Sequence, residues 1–122
     1  MRHTVRGIIL KNKQILLVTG HGADFYWTPG GGVEAGETIV ETLHREIKEE
    51  LGVLVTNYKP YHSYEYADQK VDNFIIEIEG NIKVGEEITG FAWYDSHSDI
   101  IKPSNGFNDT LKPTLIKDGL IV

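Results

Sequence analysis

The spacing of apolar residues changes along this chain, and the changes mark out its elements. Thr4–Leu10 and Gln14–Thr19 are apolar, β-rich runs joined by Lys11-Asn12-Lys13, which predicts a hairpin. Phe25–Thr28 predicts a short strand leading into a run of glycines. From Thr38 the period lengthens: Val40, Leu43, Ile47 and Leu51 recur at three- and four-residue spacing, the stripe of an amphipathic helix. Strand-like alternation returns in Val53–Tyr66 and Val71–Glu79, separated by Ala67-Asp68-Gln69-Lys70. Phe74, Ile76 and Ile78 then share one face, with Ile75, Glu77 and Glu79 on the other. Gly90–Tyr94 predicts another short strand. Asn105–Lys117 predicts a closing helix with Leu111 and Leu115 inward, although Pro113 removes a backbone donor there.

The central helix has its own start and stop signals. Thr38 with Glu41 three positions later reads as a capping box, and Gly52 suits the C-terminal stop. At about 100° per residue, Glu46, Glu49 and Glu50 fall within an arc of roughly 100° beside the apolar stripe. Such an edge is either a solvated face, with Arg45 pairing to Glu41 or Glu49, or a cation site. Like charges at three- and four-residue spacing cost roughly 0.2–0.5 kcal/mol per pair on an isolated helix. Acids in the C-terminal half also oppose the helix dipole. A bound divalent cation reverses both penalties.

The loop ahead of the helix favours the cation. Trp27-Thr28-Pro29-Gly30-Gly31-Gly32 carries three consecutive glycines, which allow close backbone approach to a ligand. Read together, Gly31, five residues, Glu37, seven residues, then Arg45-Glu46-Ile47-x-Glu49-Glu50-x-Gly52-Val53 meet every fixed position of the Nudix box. The chain therefore resembles the Nudix hydrolase family, of the MutT-like kind. That resemblance implies a Nudix fold of the α+β or α/β class, a mixed β-sheet sandwiched between helices. It implies hydrolysis of a diphosphate bond in a nucleoside diphosphate linked to another group, with Mg2+, or Mn2+, as cofactor. On the family's pattern Glu49 and Glu50 are metal ligands, and Glu46 is a ligand or the base that activates water. The carbonyl of Gly30 is a further ligand, and Glu37 with Arg45 forms an ion pair fixing the loop to the helix. An acid from the loop before Gly90–Tyr94 joins the metal cluster in relatives; Glu87 is favoured here over Glu86.

Composition narrows the setting. With 122 residues the chain reads as one domain, 1–122. It contains no cysteine, so thiolate metal sites and cysteine nucleophiles are excluded. No long apolar run or targeting pattern is evident, and a cytoplasmic protein is expected. A formal net charge of −6 argues against a long nucleic acid as partner and makes bare approach of a polyanionic diphosphate unfavourable. Metal ions bridging carboxylates and phosphate oxygens would relieve that repulsion.

Substrate residues are less legible. Tyr64, Tyr66, Phe25, Tyr26 and Trp27 could stack on a base, although β-sheets favour aromatics for packing as well. Many relatives place an arginine just after the second strand, where this chain has Thr19-Gly20-His21-Gly22. His21 is then the basic candidate, and Arg6 on the first strand could compensate, because a guanidinium suits phosphate oxygens. The expected function is Mg2+-dependent hydrolysis of a small nucleotide, such as a nucleoside triphosphate, by a monomer or homodimer. The alternatives are a catalytically silent nucleotide-binding regulator and an interaction module with a merely solvated acidic edge.

Overall fold

The computed structural model describes residues 1–122. Seven strands, β1 (Arg2–Ile8), β2 (Leu10–Lys11), β3 (Gln14–Gly20), β4 (Gly30–Gly32), β5 (Leu54–Tyr66), β6 (Gln69–Glu79) and β7 (Ile88–Tyr94), form two sheets. The larger is mixed, ordered β4-β1-β6-β5, with β1 parallel to β6 and the other pairs antiparallel. The smaller, β2-β3-β7, is antiparallel throughout. Helix α1 is Ile39–Leu51, and a helical segment closes the chain, ending in α2 (Lys112–Lys117).

Strand alternation builds two cores, one on each face of the sheets. Val5, Leu16, Val18, Phe74 and Ile76 pack with Leu43, Ile47 and Leu51 of α1. Their neighbours Ile8, Ile15, Leu17 and Ile75 pack instead with Phe107, Leu111 and Leu115 of the closing segment. The sheets are thus sandwiched between helices, as the resemblance implies. Each fully buried Leu or Ile contributes about 1.5–3 kcal/mol, so these clusters hold α1 against one face of the sheets. No helix is long and apolar enough to cross a membrane.

Four expectations need correction. The run Thr4–Leu10 is two strands, broken at Ile9, where the chain passes from the larger sheet to the smaller. The hairpin turn is only Asn12-Lys13, both at positive φ. The connection between β5 and β6 is likewise only Ala67-Asp68, both at positive φ, so Gln69 and Lys70 belong to the strand. Phe25–Thr28 is not a strand. Tyr26 bonds Lys102 and Ser104 through its backbone while Trp27 bonds Val18, so the segment is pinned from two sides without a ladder.

The closing segment is helical as expected but carries a π-helical turn over Phe107–Leu111, with the Lys112 amide bonding the Phe107 carbonyl. The wider turn lies immediately before Pro113, whose missing N–H interrupts the regular ladder.

Candidate active site

Helix α1 begins as its sequence demands. The Thr38 hydroxyl accepts from the Glu41 amide at 3.1 Å, and the Glu41 carboxylate accepts from the Thr38 amide at 2.9 Å. Gly52 closes the other end in the left-handed conformation. Because Glu41 is held in the cap, Arg45 turns elsewhere. Its Nε donates to Glu37 at 2.6 Å, and Nη1 donates to Glu46 at 2.9 Å and Glu49 at 3.3 Å. Nη2 reaches Glu37 at 3.0 Å and the Gly32 carbonyl at 3.3 Å. Glu37 also accepts from the Glu34 amide and the Thr42 hydroxyl. The Arg45 hydrogen bond, helped by the Glu34 amide, holds the Glu37 carboxyl down at about 2. The same Glu37 contact pushes the Arg45 guanidinium further above its ordinary value. Placed this way, Glu37 and Arg45 tie the glycine loop to the helix and aim Glu46.

Beside that tie lies an acidic cleft of about 420 Å³. Glu46, Glu49 and Glu50 come from α1; Gly85, Glu86, Glu87 and Ile88 come from the connection into β7. The structure brings both acids of that connection to the cleft, so the preference for Glu87 over Glu86 is not decided by position. Glu50 is largely buried, and burial pushes its carboxyl up to about 8. The Gly30 amide, donating to Glu50 Oε1 at 3.2 Å, opposes that rise, whereas neighbouring Glu46 reinforces it. Glycine is required at the loop. Gly30 has φ +145, and a Cβ there would lie 2.0 Å from the Val5 carbonyl. At Gly31 a Cβ would lie 2.5 Å from the Glu46 carboxyl. Gly30 thus meets Glu50 of this site through its amide.

The residues present fit a hard divalent cation. A buried carboxyl that holds its proton beside a second one is a place where added positive charge is favourable. All donors are oxygens, and no three converge tightly enough to cage an ion alone. That suits magnesium, which takes few protein carboxylates and completes its shell with water and phosphate oxygens.

A second cavity, of about 380 Å³, opens between the β5–β6 turn, the Phe25–Thr28 segment and the start of the closing helix. Phe25, Trp27, Tyr64, Tyr66 and Phe107 give it aromatic walls. Phe25 and Trp27 pack at 5.4 Å between ring centroids, and the Tyr66 hydroxyl donates to Asp109 at 3.1 Å. Arg6, which lines the cavity, donates to the Thr28 carbonyl at 3.0 Å. Burial lowers its pKa while the charge of Glu50 counters that effect, so Arg6 feels both the cavity and the acidic cleft. His21 does not line the cavity. It is exposed, its ring stacks on Trp27 at 6.3 Å, and its amide donates to the Glu87 carbonyl, placing it between the two. Tyr26 does not belong here either. It alternates away from Phe25 and Trp27 and packs on the cluster beneath the closing helix. Gln69, Val71, Ser104 and Phe107 line the cavity without having been expected. Gln69 opens β6, in a stretch whose sequence reads as a linker, and Phe107 opens the π-helical turn of the closing segment.

Comparison with known proteins agrees with this arrangement. The model of the NUDIX domain matches residues 1–109. An ADP-ribose pyrophosphatase of Methanocaldococcus jannaschii is 33% identical over 101 residues, covering 75% of this chain and 60% of the relative. A nucleoside triphosphatase NudI of Escherichia coli is 35% identical over 80 residues, covering 52% and 57%. The chain thus spans about three-fifths of the length of these curated relatives. A solved MutT structure, from work on Aliivibrio salmonicida and Vibrio cholerae, has a TM-score of 0.80 at 24% identity. It covers 96% of this chain and 98% of that one, a likeness of fold.

Proposed function

This chain belongs to the Nudix hydrolase family, and on that premise we propose that it hydrolyses a diphosphate bond of a small nucleotide with Mg2+, or Mn2+, as cofactor. The observation that carries the reading is the acidic cleft adjoining an aromatic cavity, with Arg6 electrostatically shared between them. Glu49 and Glu50, with Glu46, either acid of the Glu86-Glu87 pair and the Gly30 carbonyl, would hold the metal. When bound, the metal would neutralise the diphosphate and lower the pKa of a coordinated water.

The chain's own residues supply the rest. Glu46 is aimed by Arg45 and takes the proton of the attacking water. The water oxygen bonds to phosphorus, the bridging P–O bond breaks, and the leaving phosphate carries the electron pair away. Arg6 offers its guanidinium to a phosphate oxygen, and His21 stands at the rim between cleft and cavity. The aromatic cavity, Tyr66 included, holds the nucleoside. Its volume suits one nucleoside rather than two, which favours a nucleoside triphosphate or a nucleoside diphosphate bearing a small group. Among relatives, one is named an ADP-ribose pyrophosphatase and another a nucleoside triphosphatase, and both names are compatible with that size class. The cytoplasmic setting, expected because no long apolar run or targeting pattern is evident, remains part of the proposal.

The test is a nucleotide panel with product identification, in Mg2+ and in EDTA, for the wild type, Glu46→Gln and Glu49→Gln. Turnover that requires Mg2+ and falls at least about a hundredfold in both variants supports the assignment. Nucleotide binding with no turnover of any substrate would point to a silent regulator instead.

A further inference from the structure

Gln69 carries the one side-chain amide lining the aromatic cavity, and no carboxylate lines it. That amide is oriented by an unusual partner. Thr4 is 1% exposed, and its hydroxyl donates to Gln69 Oε1 at 2.8 Å. This is the one hydrogen bond that hydroxyl makes, so turning the amide over would leave a buried O–H without its acceptor. Gln69 Nε2 is therefore kept as a donor. The other polar side chains around it do not contradict that choice. Arg6 only donates, the Tyr66 hydroxyl is committed to Asp109, the Ser104 hydroxyl accepts from the Phe107 amide, and the hydroxyls of Thr28 and Tyr64 can either donate or accept.

We propose that Gln69, oriented by Thr4, is a specificity-determining residue that makes the aromatic cavity select a base bearing a ring carbonyl over its exocyclic-amine counterpart. The inference rests on the reading that this cavity holds the nucleoside. A keto oxygen, as in uracil or hypoxanthine, accepts from Nε2. An exocyclic amine at the same position, as in cytosine or adenine, sets donor against donor and leaves both unpaired. Thr4 acts only through Gln69 and is a positioning residue.

The experiment uses matched pairs that differ chiefly at this one exocyclic position: UMP against CMP, and IMP against AMP. Binding is read by intrinsic fluorescence of the metal-free Trp93→Phe background, in which Trp27 is the sole tryptophan, and kcat/KM is read separately with UTP, CTP, ITP and ATP. Wild type should prefer the keto member of each pair by at least about tenfold, the value of one satisfied hydrogen bond against one opposed donor. Gln69→Glu keeps an acceptor for the Thr4 hydroxyl and presents an oxygen to the cavity, so the preference should reverse. Thr4→Val frees the amide to turn over, and the preference should shrink toward equality with no change in thermal midpoint large enough to signal unfolding. Equal binding of both members by wild type, binding of neither, or a preference unmoved by Gln69→Glu would overturn the proposal. Binding with the predicted preference but no hydrolysis of any triphosphate would leave this inference standing and defeat the proposed reaction instead.

Discussion

The acidic cleft and the aromatic cavity lie side by side and are built in opposite ways. The cleft sets three glutamates of one helix, tied to the loop before it by local contacts such as Arg45 with Glu37, against the Gly85–Ile88 stretch leading into β7. The cavity is assembled from four distant segments, around Arg6, Phe25–Thr28, Tyr64–Val71 and Ser104–Phe107. The first is crowded with like charges, which help to push the Glu50 carboxyl up; the second is mostly apolar. A charged cleft centred on one helix thus adjoins a largely apolar cavity assembled from distant segments.

That division gives four expected outcomes. The largest is functional. Glu50→Gln preserves the acceptor for the Gly30 amide but removes the charge, and should lower Mg2+-dependent turnover at least about a hundredfold. Nucleoside monophosphate binding at the cavity should survive, as measured by Trp27 fluorescence in the same Trp93→Phe background.

The second concerns pH. Glu50 titrates at about 8 in the folded metal-free protein, above its ordinary value of 4.5. The folded state therefore binds more protons than the unfolded one between those values. Metal-free stability should be highest on this account at low pH and fall as pH rises from about 5 through 8, by on the order of a few kcal/mol. Urea unfolding from pH 5 to 9 reads this loss, and Glu50→Gln should flatten it.

The third sharpens the contrast from the other side. Phe25 is 43% exposed and lines the cavity, so Phe25→Ala removes stacking with little loss of core packing. It should raise KM about tenfold, leaving Mg2+ binding by calorimetry unchanged.

The smallest concerns the tie between loop and helix. Glu37 is held at about 2, below its ordinary value. Its contribution is complete above pH 5 and should be lost as pH falls toward 2. Glu37→Gln should remove that portion of the acid transition in circular dichroism while shifting the midpoint at pH 7 by only a few degrees.

The same division explains what could be read from the chain. Helix α1, its cap, its Gly52 stop and the acidic edge follow from a contiguous run, so spacing alone placed them. The α1-side core was legible for the same reason, since strand alternation and helical periodicity are local signals. The cavity was not. Tyr26 was grouped with Phe25 and Trp27, although period-two alternation sends it to the opposite side. Gln69 reads as part of a four-residue turn, yet Ala67-Asp68 alone, both at positive φ, reverse the chain and leave Gln69 in the strand. Phe107 was obscured by Pro113, whose effect is absorbed by a π-helical turn. No single-residue signal announces which strands meet across tens of positions of sequence; β1 lying parallel to β6 is what brings Thr4 and Arg6 beside Gln69 and Val71.

The separability of the two regions is tested most directly by Mn2+ titration followed by electron paramagnetic resonance at pH 8, comparing wild type with Glu50→Gln. Wild type should bind Mn2+, and the variant should bind it at least about tenfold more weakly while retaining its affinity for UMP. Equal Mn2+ affinity in the two proteins would contradict the account, because the buried carboxylate would then not be part of the cation site.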